Sequence, residues 1–180
     1  METQKTFMIW ICEHLLQTFS SSAVTVDDSP QTYAATDIGT GTFVAGEYVS
    51  VAGCSESGNN GTKTLVTVAA DLLTVSETTT TEVAGAAVVI NEFYYGDWKA
   101  VRSSAYLTGT INASQACTLY IDQSRDGVNT DVTDTIVVGA GVAESWQYAV
   151  VVSGFARIRI LNGGTDQTSM RCILNGKTNA

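Results

Sequence analysis

The chain has 180 residues, a formal net charge of −9 and only 15% charged residues. Its length is enough to bury a full core, and an acidic chain without a basic run is a poor partner for a phosphate backbone, which excludes nucleic acid. With 25 Thr and 20 Val against a single Pro, β-branched residues dominate and strands are favoured over helices.

At the N-terminus, Phe7, Trp10, Ile11, Leu15 and Phe19 recur at three-to-four spacing, which predicts one helix over residues 1–21, closed by Ser20-Ser21-Ser22. Met8, Ile9, Cys12 and Leu16 widen the apolar stripe until little polar face is left, and such a helix must be covered. The cover is either the chain's own core or another subunit. In the second case residues 1–21 are an anchoring arm, and the five stripe residues are its contacts. The apolar run Phe7–Cys12 stops at Glu13 and His14, short of the roughly 7–15 residues of a secretory h-region. No stretch reaches membrane-spanning length. The expectation is a protein that is not exported and has no membrane partner.

Residues 22–95 read as a first, small antiparallel module, barrel-like or a sandwich. Its strand-like runs are Ala23–Asp27, Glu47–Ala52, Lys63–Ala69, Leu72–Ser76 and Ala86–Asn91. Asn60-Gly61 is a tight-turn dipeptide between two of them. The aromatic run Phe93-Tyr94-Tyr95-Gly96-Asp97-Trp98 marks the junction to a second module. Packing is the commoner use of such a cluster; the alternative is a sugar-stacking platform of Tyr94, Tyr95 and Trp98.

Residues 96–180 carry short alternating strands over Ala105–Asn112, Thr118–Asp122, Thr135–Val138, Gln147–Val152, Phe155–Leu161 and Thr168–Leu174. Turn residues separate them at short intervals, the pattern of a β-sandwich or jelly roll. The fold class expected is therefore mainly β: two small antiparallel modules behind one N-terminal helix. If the last two runs pair with their apolar residues on one face, Ile158 meets Met170 and Ala156 meets Cys172. Arg157 then lies opposite Arg171 with Arg159 beside them, a charged outer face that needs an acid. Asp122 or a neighbouring subunit could supply it.

Asp122, Ser124 and Asp126 ahead of Gly127 resemble the start of a calcium loop, but the twelfth position is Thr133 where such a loop has a bidentate acid. A hairpin turn is the simpler reading, and no metal is expected. Cys12, Cys54, Cys117 and Cys172 lie far apart without metal-ligand spacing. They fit buried thiols of a chain made in a reducing cytoplasm, with one inter-strand disulfide as the alternative. His14 is the one histidine and sits on the apolar N-terminal segment, a poor general base. No carboxylate pair is marked by spacing, so neither catalytic residues nor a cofactor is expected.

Three stretches then fall together: Gly109-Thr-Ile111-Asn-Ala113, Leu119-Tyr-Ile121-Asp-Gln-Ser124-Arg-Asp126-Gly127, and Phe155-Ala-Arg157-Ile-Arg159-Ile-Leu-Asn162-Gly-Gly164 with Gln167-Thr-Ser169. They resemble a β-sandwich found in tailed-bacteriophage virion proteins. Phe43-x-x-Gly46-x-x-Val49-x-Val51-x-Gly53, Asn60-Gly61 and Leu73-Thr-Val75 resemble a small barrel module of phage structural proteins. The resemblance implies a non-enzymatic virion structural protein, foremost a head decoration (cement) protein. It would be located in the virion after assembly in the bacterial host cytoplasm. Its partners would be itself, with a homotrimer favoured, and other virion proteins such as the major capsid protein. A tail, neck or fibre component, with carbohydrate recognition as one form of it, is the alternative.

Overall fold

A computed structural model describes residues 6–41, 43–101, 104–152 and 154–178. In chain order its strands are β1 (Thr6–Cys12), β2 (Thr18–Ser21), β3 (Thr25–Asp28), β4 (Gln31–Ala34) and β5 (Tyr48–Ala52), then β6 (Gly61–Ala69), β7 (Leu72–Val75), β8 (Val88–Tyr95), β9 (Lys99–Ala100) and β10 (Tyr106–Ala113). The remaining five are β11 (Cys117–Ser124), β12 (Val132–Val138), β13 (Ala143–Ala149), β14 (Phe155–Asn162) and β15 (Met170–Lys177). Helix among the described residues is limited to a 3-10 turn at Ser57–Asn59. The chain is mainly β and antiparallel, as its composition requires.

The N-terminal helix does not form. Its place is taken by β1, the stretch Cys12 to Thr18 and then β2. Phe-Met-Ile-Trp-Ile-Cys is a short run of aromatic and β-branched residues, and a run of that length satisfies helical and strand periods alike. Its β propensity, and the free edge of β15 alongside, decide for the strand. Residues 1–5 and the side chain of Phe7 lie outside the described residues.

Two compact units divide the chain. One comprises Met1–Leu15, Tyr95–Ile160 and Gln167–Ala180; the other comprises Leu16–Tyr94 and Leu161–Asp166. The first unit has a four-stranded sheet in the order β1-β15-β10-β13 and a second sheet in which β11 lies between β12 and β14, with β9 on β14. Strand alternation puts Leu107, Ile111, Cys172, Leu174 and Trp146 on the buried face of the four-stranded sheet. Leu119, Ile121, Ala156, Ile158 and Ile160 are buried from the other sheet. This is a sandwich-like arrangement. Gly109 is required by it: a Cβ there would come within 2.2 Å of both the Ile173 carbonyl oxygen and Cζ2 of Trp146, so the indole lies directly on the glycine.

The expected pairing of the last two long strands is corrected here. β14 belongs to the sheet of β11, whereas β15 pairs with β1 and β10. Cys172 is opposite Cys12 and Ile111, and Met170 is opposite Ala113. Both strands carry a clean alternation, which sets the buried face of each but not its neighbour.

In the other unit, β3-β4-β7-β6-β5-β8 are successive neighbours and β2 pairs with β8. β6 serves two partners. Its first half pairs with β5 and its second with β7, and a register shift between Leu65 and Thr67 separates the halves. Val26, Tyr33, Val49, Val51, Leu65, Leu73 and Ile90 are among the core, with Phe19 packed against it. The loop after β5 closes over polar groups that are satisfied in place: Lys63 Nζ donates to the Gly58 carbonyl at 2.7 Å, and Asn59 Nδ2 to the Thr80 carbonyl at 2.9 Å.

Candidate functional site

β14 turns Ala156, Ile158 and Ile160 into the core, so Phe155, Arg157 and Arg159 stand on the outer face. On β11 Leu119 and Ile121 point into the core, and Tyr120 and the buried Asp122 lie on the opposite face of the strand. Asp122 therefore shares a face with the two arginines. Its oxygens accept four hydrogen bonds: from Arg157 Nε at 2.9 Å and Arg159 Nε at 2.7 Å on Oδ2, and from Arg159 Nη2 at 2.9 Å and Thr133 Oγ1 at 2.7 Å on Oδ1. The Asp122 side chain has no exposure, and Arg157 and Arg159 are 19% and 17% exposed.

Burial alone would push the Asp122 carboxyl up. The hydrogen bonds from Arg159, Thr133 and Arg157 outweigh that and hold it below the ordinary carboxylate range. Arg159 is in turn raised: burial opposes its charge, but the hydrogen bond and charge of Asp122 more than compensate. Two cations share one anion, so the cluster carries a net positive charge on an acidic protein.

Aromatic rings interleave with the arginines. The Arg157 guanidinium lies 4.3 Å from the Trp98 ring centroid and 5.3 Å from that of Tyr95. Arg159 lies 5.3 Å from Tyr95 and 4.8 Å from Tyr120. The series Trp98, Arg157, Tyr95, Arg159, Tyr120 is thus an alternating ladder of rings and cations. Gly96 allows it. Its N–H donates to the Ile158 carbonyl at 2.9 Å, and a Cβ there would meet that oxygen at 3.0 Å and the Trp10 ring at 3.3 Å. A larger residue would lift the Tyr95–Trp98 segment off β14.

Of the charged face expected from sequence, Arg157, Arg159 and Asp122 are together and Arg171 is elsewhere. Arg171 lies on β15, in the four-stranded sheet, 3.5 Å from Glu13 with both side chains well exposed. Of the three expected stacking rings, Tyr95 and Trp98 flank Arg157, while strand alternation turns Tyr94 away from its neighbour. Tyr120, Thr133 and Thr130 were not anticipated. Tyr120 had a signal in being two residues from Asp122 on one strand, and Thr130 Oγ1 accepts from Arg157 Nη2 at 3.3 Å.

The calcium candidates are used differently. Both Asp122 oxygens are filled by the donors above. Asp126 Oδ1 accepts from the Ser124 hydroxyl at 3.0 Å and from the backbone N–H groups of Val128 and Asn129 at 2.8 and 2.9 Å. Those bonds, Asn129's foremost, hold the Asp126 carboxyl well below its usual range. The segment is a self-closed turn between β11 and β12. Among the five N-terminal contact candidates, Trp10 is half-buried and Phe19 packs on the core of its own unit. Ile11 and Leu15 are 40% and 42% exposed, and the side chain of Phe7 is not among those described.

Residues 65–177 match the family model described as "Uncharacterised protein YqxG N-terminal domain". All residues of the ladder fall within that span. No curated protein matches the chain.

Proposed function

The chain belongs to the family of the uncharacterised YqxG N-terminal domain, and we propose that it is a non-enzymatic structural protein of a tailed-bacteriophage virion, foremost a head decoration subunit. In this reading it works by surface contact with copies of itself and with the capsid. The observation that carries it is the ladder of Trp98, Tyr95, Tyr120, Arg157 and Arg159. Trp, Tyr and Arg are the side chains that dominate the energetics of protein interfaces. Here they are held rigid before any partner arrives, because the buried Asp122 carboxylate clamps both guanidiniums. Preorganisation of that kind removes part of the ordering cost of association. The resemblance of the strand motifs to virion β-modules is what supports a phage particle in this reading.

The test is to purify particles from the producing cells on a density gradient and identify their proteins by mass spectrometry. The chain should band with intact heads at stoichiometric abundance, and Trp98→Ala should move it into the soluble fraction. Absence of the wild-type chain from every particle fraction refutes the reading. Banding with tails alone moves it to the tail or fibre alternative. A carbohydrate-recognition role is favoured by one observation, the half-exposed Trp98 ring beside Arg157. It requires glycan-array binding that Trp98→Ala abolishes, and silence on the array removes it.

A further inference from the structure

Cys12 on β1 and Cys172 on β15 are direct cross-strand partners. Both belong to the same unit, both are buried, and neither forms a disulfide in the structure. Directly opposed residues of an antiparallel pair have Cα atoms about 4.5–5.5 Å apart. A disulfide needs about 4.4–6.8 Å. The Cβ atoms of such a pair, about 4.5–5.5 Å apart, have to close by up to about 1 Å to reach disulfide range. No strand has to change its register for that.

We propose that Cys12 and Cys172 are a covalent redox site, which a small disulfide oxidant converts into a cross-strand clasp between the first and last strands. The inference goes beyond the particle reading and does not rest on it. The reaction is two successive exchanges. The Cys12 thiolate attacks one sulfur of glutathione disulfide, breaking its S–S bond and releasing one glutathione thiolate. Cys172 then displaces the second glutathione from the mixed disulfide. The protein loses two protons and two electrons, and two glutathione molecules are formed.

Burial pushes the Cys172 thiol well above its usual range, the nearby Cys12 and Cys117 adding to it, so the closed sheet protects the reduced pair. Access comes from the edge. Among the described residues β1 stands at the edge of the sheet with β15 as its neighbour there, so local opening has one strand pairing to break. One such opening frees Cys12 and uncovers Cys172 together. Cys117 is buried on β11, in the other sheet of the unit, with its thiol pushed up to about 11 by burial. It is the competing partner within the same core.

The experiment incubates the full reduced chain with glutathione disulfide at mildly alkaline pH, without denaturant. Intact mass should fall by about 2 Da, and non-reducing peptide mapping should join the peptides of Cys12 and Cys172. The oxidised chain should melt at least about 5 °C higher, because the bond closes nearly the whole chain into a loop. Cys117→Ala should oxidise in the same way and Cys12→Ser should not. An unchanged mass, a lasting glutathione adduct, a Cys117–Cys172 link, or an oxidised form that melts no higher overturns the proposal.

Discussion

Replacing Asp122 by Asn tests the physical basis of the arginine–aromatic face. The amide keeps the volume and can still accept the Thr133 hydroxyl on its oxygen, but it removes the one negative charge between Arg157 and Arg159. It also turns an NH2 group towards donors. Removing one partner of a buried ion pair costs about 3–5 kcal/mol. The arginines retain 19% and 17% exposure and regain some hydration, so the lower end, about 3 kcal/mol, applies. For a chain of this length that is a drop in Tm of roughly 6–12 °C at pH 7. The effect has a required pH dependence. Asp122 is held below its ordinary 3.8, so its stabilisation is fully present above that value and is lost as pH falls through the lower folded-state value. Thermal melts of wild type and Asp122→Asn, followed by circular dichroism, should differ most near neutrality and converge in strong acid. A difference under about 2 °C at pH 7, or one that persists undiminished in acid, would refute the argument that the charge holds the face together.

Two further outcomes follow from the packing. Gly109→Ala puts a methyl group within 2.2 Å of Trp146 and of a backbone oxygen. It should cost about 2–3 kcal/mol or more and disturb the near-ultraviolet signal of the indole; an unchanged near-ultraviolet spectrum would show that the ring does not lie on the glycine. Deleting residues 1–12 removes β1 and uncovers β15 along Cys172 and Leu174. Cooperative melting should be lost or fall steeply, and a truncated chain with wild-type Tm would restore the idea of a dispensable arm.

Much of the fold was legible because period two is a local property. Alternation along Phe155–Leu161 put Ala156 and Ile158 on one face and Arg157 and Arg159 on the other from sequence, and the structure has them so. The need for an acid among those arginines was likewise a matter of charge alone. The partner of each strand was not legible. β15 leaves β14 for β1 and β10, and every one of those neighbours offers an apolar inner face, so hydrophobic patterning has no means of choosing. That choice sent Arg171 to Glu13 and brought Cys172 against Cys12. At the N-terminus the local signal itself was degenerate, since a six-residue apolar run fits a helix turn and a strand equally. It became a strand because β15 presents an edge to pair with. The ladder of rings on arginines is tertiary throughout: Trp98 and Tyr95, far from β14 and β11 in sequence, lie on the guanidiniums either side of Gly96, whose N–H donates to the Ile158 carbonyl. Which side chains face outward is set within each strand by backbone geometry. Which of them meet is set by contacts between distant segments, through backbone hydrogen bonds that are the same whatever the sequence.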